Sequence, residues 1–230
     1  LRGGKKLKNR AGFLISLIVV ELVLQIFNPT GAQASCGSCR NHAIGYRTDQ
    51  QYNGVHAYIE LADPAIRDGV NGFSAEVIWI GDIPSAHNVI EIGWRKTGVP
   101  FQGANMYWGY VDSNGSWSGE HWLGSAGQGR DYKIEYNSGD GKWHVYVGSS
   151  DQGSVSLGIS SGYIEAGAEV SDQDPNNHNA AGVAGHLNLS YRAPGNSSYF
   201  QWGGWAKAES PGYHINPINS SNAFQTSGYN

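Results

Sequence analysis

Between Val55 and Ala206 the chain alternates apolar and polar residues in short runs, each stopped by Gly, Pro, Asn or Asp. Side chains point to opposite faces of a strand in turn, so this period of two is the signature of half-buried β-structure. Val55, Ala57, Ile59 and Leu61 share one face, and Asp63-Pro64 ends their run. Ala75–Ile80, Asn88–Trp94 and Asn105–Val111 follow; the last is closed by the turn sequence Asp112-Ser113-Asn114-Gly115. Tyr132, Ile134 and Tyr136 alternate up to a Gly- and Asp-rich turn, and Trp143, Val145 and Val147 alternate back, a hairpin. Val155–Ile159, Tyr163–Val170, His186–Tyr191 and Tyr199–Ala206 complete the series. No stretch after residue 35 has a helical period, so the expected fold is all-β, an antiparallel β-sandwich or jelly roll.

The flanks read differently. Arg2, Lys5, Lys6, Lys8 and Arg10 precede an apolar run from Ala11 to Phe27, and Ala32-Gln33-Ala34 has the small-x-small pattern of a signal-peptidase site. Residues 1–34 are therefore expected to be a signal peptide, cleaved before Ser35, on a secreted protein. Glu21 and Gln25 within the run oppose stable insertion in a membrane. Residues 35–54 read as a polar leader, 55–209 as the folded domain and 210–230 as an irregular tail. The only cysteines, Cys36 and Cys39, lie in the leader, where a local disulfide or a loose tail is a better reading than redox catalysis or a zinc site.

A net charge of −4 gives no basic surface for nucleic acid. Only 15% of residues are charged, while 33 are Gly, 13 Tyr and 8 Trp, a mix suited to short strands and turns in a monomeric secreted protein. No nucleotide-binding, zinc-protease or serine-hydrolase motif is present. His178 and His186 have no third ligand at a useful spacing, and Asp172-x-Asp174-x-Asn176 lacks the glycine and closing glutamate of a calcium loop. No metal or cofactor is expected.

Two strands share one design. In Asn88–Trp94, Ile90, Ile92 and Trp94 face one way and Val89, Glu91 and Gly93 the other. In Gly162–Val170, Ile164, Ala166, Ala168 and Val170 oppose Tyr163, Glu165, Gly167 and Glu169. Each pairs a carboxylate with a glycine that leaves room for close approach. The ordered pieces GVHAYIELADPAI, FSAEVIWIGD, NVIEIGW, MYWGYVDSNG, KWHVYVG and YIEAGAEV resemble the catalytic domain of the neprosin-type glutamic endopeptidases, from about Val55 to Val170. That resemblance implies a secreted, metal-independent peptidase on a β-sandwich, acting on polypeptide, with a preference for proline, and it places the two catalytic glutamates at Glu91 and Glu169. The chain departs from the family in GSWSGEHWLGS, which lacks a cysteine the family carries there, and in Ala166 and Ala168, which replace Trp and Gly.

The chemistry can be argued from the residues as well. Peptide hydrolysis without a metal or a Ser or Cys nucleophile needs a base for water and an acid for the leaving amine. Two neighbouring carboxyls supply both when one stays protonated, because like charges push one pKa up. Glu169 is assigned as the base and Glu91 as the acid and oxyanion donor, acting at acid pH. Tyr107 and Tyr163, on the polar faces, are candidates to line the substrate groove. Glu76, Glu135 and Glu165 are the competing carboxylates, and Glu165 shares the face of Glu169. Paired carboxylates beside aromatics also suit a jelly-roll glycosidase, and the Trp, Tyr and Asn content suits a non-catalytic carbohydrate-binding sandwich.

Overall fold

A computed structural model of the chain describes residues 39–67, 72–98, 103–172 and 178–229. The expected signal segment with its expected cleavage position, Cys36, and Asp174 and Asn176 lie outside the described residues. In chain order the strands are β1 (Cys39–Tyr52), β2 (Gly54–Ile59), β3 (Phe73–Asp82), β4 (His87–Thr97), β5 (Asn105–Val111), β6 (His121–Ser125), β7 (Arg130–Asn137) and β8 (Lys142–Val147). They continue with β9 (Ser150–Val155), β10 (Gly162–Asp172), β11 (Ala181–Arg192), β12 (Phe200–Gln201), β13 (Ala206–Glu209), β14 (Tyr213–Asn219) and β15 (Ala223–Gly228). The one helical element among the described residues is a 3-10 turn at Ile83–Ser85.

These strands make two antiparallel sheets, the expected sandwich. One is seven-stranded, in the order β13-β1-β10-β3-β4-β5-β6; the other is eight-stranded, β14-β15-β11-β2-β7-β8-β9, with β12 added on β11. Ile90, Ile92 and Trp94 of β4 and Ile164, Ala166, Ala168 and Val170 of β10 meet Val55, Ala57, Ile59, Tyr132, Ile134, Trp143 and Val145 of the facing sheet. Burying this surface drives the sheets together. The seven-stranded sheet also buries its outer face, where Ile44, Tyr46, Phe73, Ala75, Val77, Trp79 and Tyr107 form a second cluster.

Buried indoles hold the layers by their polar edges. Trp94 Nε1 donates to the Glu60 carbonyl at 3.0 Å and Trp143 Nε1 to that of Ile159 at 2.8 Å. Trp94→Phe is expected to cost about 1–3 kcal/mol, through one lost hydrogen bond and a small void; urea unfolding measures it, and an unchanged midpoint would remove this role. Glu76, on the inner face of β3, accepts from Thr226 Oγ1 at 2.8 Å and lies 2.8 Å from His186 Nε2, all three fully buried. Burial raises the Glu76 pKa, and both partners oppose that rise.

The structure corrects the flanks. Residues 39–52 are not leader: β1 lies between β10 and β13 in the seven-stranded sheet. Both of its faces are covered around Ala43, Ile44 and Tyr46, so its sequence shows no simple contrast of apolar and polar faces. Residues 213–228 are not an irregular tail but the edge pair β14 and β15, which bury Tyr213, Ile215, Phe224 and Thr226. Pro217 fits there because β14 is an edge strand. The run expected at Val155–Ile159 is strand only to Val155; beyond it the Ile159 N–H donates to the Leu157 carbonyl at 2.6 Å, a tight turn that only imitates alternation. Tyr199–Ala206 is likewise not one strand but the separate pieces β12 and β13. The Gly- and Ser-rich residues 113–129 contain β6.

Candidate active site

The strand register places the candidate residues on the outer face of the seven-stranded sheet. Glu169 of β10 stands opposite His42 of β1 on one side and Ala75 of β3 on the other. Glu91 of β4 stands opposite Trp79 of β3 and Gly109 of β5. The two carboxylates therefore share one face but lie diagonally across β3, four residues apart in its register. Glycine serves this arrangement otherwise than by leaving space for substrate. A Cβ on Gly93 would lie 2.0 Å from the Glu76 carbonyl oxygen, and one on Gly167, whose φ is +151°, 2.1 Å from that of Ala43. What approaches these glycines is the neighbouring strand's backbone.

Each carboxylate has its own setting. The Arg40 guanidinium of β1 is ion-paired with Glu169 Oε1 and stacks over the Phe73 ring, 5.3 Å from its centroid. Glu169 is the chief reason the Arg40 pKa is raised, and Glu91 adds to it. His42, beside Glu169, is buried, and burial lowers its pKa while Glu169 opposes that. Its ring lies 3.3 Å from Ser210 Oγ. Among the described residues no cation is ion-paired with Glu91. It accepts from Trp79 Nε1 at 2.7 Å through Oε2 and from the Tyr107 hydroxyl at 2.7 Å through Oε1. Burial first, and then the charge of Glu169, push its pKa up to about 7; the two donors and Arg40 pull the other way. The two settings are unequal: one carboxylate is ion-paired with a cation, and the other is buried against two hydrogen-bond donors.

Tyr107, expected on the groove wall, is buried and positions Glu91. Tyr163 is half-buried at the start of β10, opposite Gly81, away from Glu169. Of the competing carboxylates, Glu76 is on the inner face with His186, and Glu135 is on the far sheet with Lys133, Arg192 and Tyr199. Glu165 does share the outer face, in one row with Tyr46 and Trp79. It is fully buried, with neither carboxyl oxygen hydrogen-bonded, and burial raises its pKa to about 8. His178 pairs with Asp172 at 2.8 Å, far from a common site with His186. Among the described residues no three His, Cys, Asp or Glu side chains are grouped to hold a metal ion.

Sequence reading missed Arg40, His42 and Trp79. Arg40 and His42 do alternate in step with Ile44 and Tyr46, a period-two signal inside what reads as a polar leader.

No family model and no curated protein sequence matches this chain. Among solved structures it is similar to Scytalido-glutamic peptidase with a peptide-based transition-state analogue, at 10% identity and a TM-score of 0.50, over 84% of this chain and 98% of that one. A second structure of that peptidase, with a transition-state-analogue inhibitor, gives the same values. A Bacillus licheniformis β-glucanase aligns over 86% of this chain and 82% of its own at 12% identity, with a TM-score of only 0.35. The likeness to the glutamic peptidase is one of fold.

Proposed function

We propose that this protein is an exported glutamic endopeptidase, of the neprosin type its sequence resembles, in which Glu169 and Glu91 hydrolyse peptide bonds without a metal. The observation that carries the reading is the unequal setting of two glutamates on one sheet face: Glu169 paired with Arg40, Glu91 buried with a pKa of about 7. Glu169 as carboxylate takes a proton from water as the water oxygen bonds to the scissile carbonyl carbon. Protonated Glu91 donates a hydrogen bond to the oxyanion that forms. The C–N bond then breaks, and the proton held by Glu169 passes to the departing amine, leaving a carboxyl and an amine. Trp79 and Tyr107 fix the Glu91 carboxyl in place.

The acid must keep its proton, so activity is expected to fall as pH rises through about 7. Tyr107→Phe gives a signed test. The tyrosine donates to the ionised form of Glu91 and so lowers its pKa; removing it should move this limb of the pH–rate profile to higher pH. An unmoved or downward-moved limb would detach Glu91 from the acid role. Export is tested by sequencing the N-terminus of secreted material, which should begin near Ser35; an intact chain in the cytosol would refute it.

A further inference from the structure

Two large apolar side chains remain open to solvent on the Glu91 side of the outer face: Trp117 is 43% and Trp122 48% exposed. Both come from the stretch after β5 that departs most from the resembled family. Asp112 Oδ1 accepts from the N–H groups of Asn114 at 2.8 Å and Ser116 at 2.9 Å, which folds the chain back on itself. Trp117 then forms a bridge with Val111, and the Ser118 N–H donates to the Tyr110 carbonyl at 2.9 Å. This register turns Trp117 to the face of Val111, Gly109 and Glu91. Gly109, directly opposite Glu91, has no side chain, and the Trp117 ring occupies that space: a Cβ there would lie 2.2 Å from its Cη2. Trp122 of β6 stands opposite Tyr107, their ring centroids 5.8 Å apart and tilted by 48°. On this flank Arg95 and Glu120 are paired with each other, and the Asp112 carboxylate is taken up by its own turn. Exposed indoles clustered beside a site mark a recognition surface for apolar groups.

We propose that Trp117 and Trp122 form an indole-walled subsite beside Glu91 that takes a bulky apolar side chain of the polypeptide substrate; it rests on the peptidase reading above. A flat or branched apolar group laid there is desolvated on the indole faces, while its backbone runs past Glu91. A small side chain gains little from them. The subsite thus sets selectivity near the scissile bond.

The test uses paired peptides that differ only in Phe or Ala at one position near the cleaved bond. Wild type is expected to favour the Phe peptide in kcat/KM at one such position. Trp122→Ser and Trp117→Ser should each shrink that preference by about tenfold. Gly109→Val should do the same with both indoles retained, because the new side chain displaces the Trp117 ring. A Phe-to-Ala ratio unchanged in the two folded Trp variants overturns the subsite, although the peptidase reading then stands. Should wild type cleave no peptide, the peptidase reading fails and binding of the same peptides, followed by indole fluorescence, decides: tighter binding of the Phe peptide that both Trp variants lose supports the subsite, and equal binding of the two peptides overturns it.

Discussion

Glu169→Gln is expected to lower peptide hydrolysis by about 10²–10⁴-fold, the usual loss for a general base. The amide keeps the shape of the side chain but cannot take a proton from water. Folding should be little affected, because the Arg40 side chain that loses its ion pair is 44% exposed and can be rehydrated. A melting temperature within a few degrees of wild type, beside a collapsed kcat, would separate chemistry from stability. Glu91→Gln should behave differently. Its N–H can still donate to the oxyanion, so residual turnover should persist, and the loss of activity through pH 7 should disappear with the titrating group. Full activity of Glu169→Gln at any pH would remove the mechanism.

Glu165→Leu is expected to stabilise the protein by an amount that grows as pH rises from about 4 to about 8. Glu165 is fully buried between Tyr46 and Trp79 with both oxygens unpartnered, and burial alone lifts its pKa from 4.5 to about 8. Between those values the folded state holds a proton that the unfolded state has released. Stability therefore falls as pH rises across the window, and the full contribution is present only below the unfolded value. At about 1.4 kcal/mol per pKa unit the loss is on the order of several kcal/mol. Replacing the carboxyl with an apolar side chain of similar size removes it. Glu91 adds a slope of the same sign between 4.5 and about 7, so the variant keeps a shallower dependence that ends earlier. Urea unfolding of both proteins from pH 4 to 9 measures this; parallel curves would show that Glu165 does not hold its proton in the fold.

That Glu91 and Glu169 lie on the less apolar faces of their strands was legible because β4 and β10 alternate plainly. Ile90, Ile92 and Trp94 fall on the inner face, and Glu91 follows on the outer one. The partners were not legible, for a reason that lies in sheets themselves. Arg40 meets Glu169 only because β1 pairs with β10, and Glu91 feels Glu169 only because β3 separates their strands; alternation within one strand carries neither fact. A strand covered on both faces, such as β1, also loses the contrast that makes strands readable, so its Arg40 and His42 look like loop residues. At the other end, Tyr213, Ile215, Phe224 and Thr226 are the inward positions of β14 and β15, where the alternate positions His214, Asn216, Gln225 and Ser227 are polar, and so few apolar residues read as a tail.

The central claim, that Glu91 and Glu169 form a metal-independent peptidase centre, is tested most directly by digesting a denatured protein with the purified protein between pH 3 and 9. A chelator is present throughout, and the cut sites are read by mass spectrometry beside a Glu169→Gln control. The expected result is defined peptide-bond cleavage under acid conditions that fades through pH 7 and is missing from the control. No cleavage at any pH, or equal cleavage by the control, would contradict it.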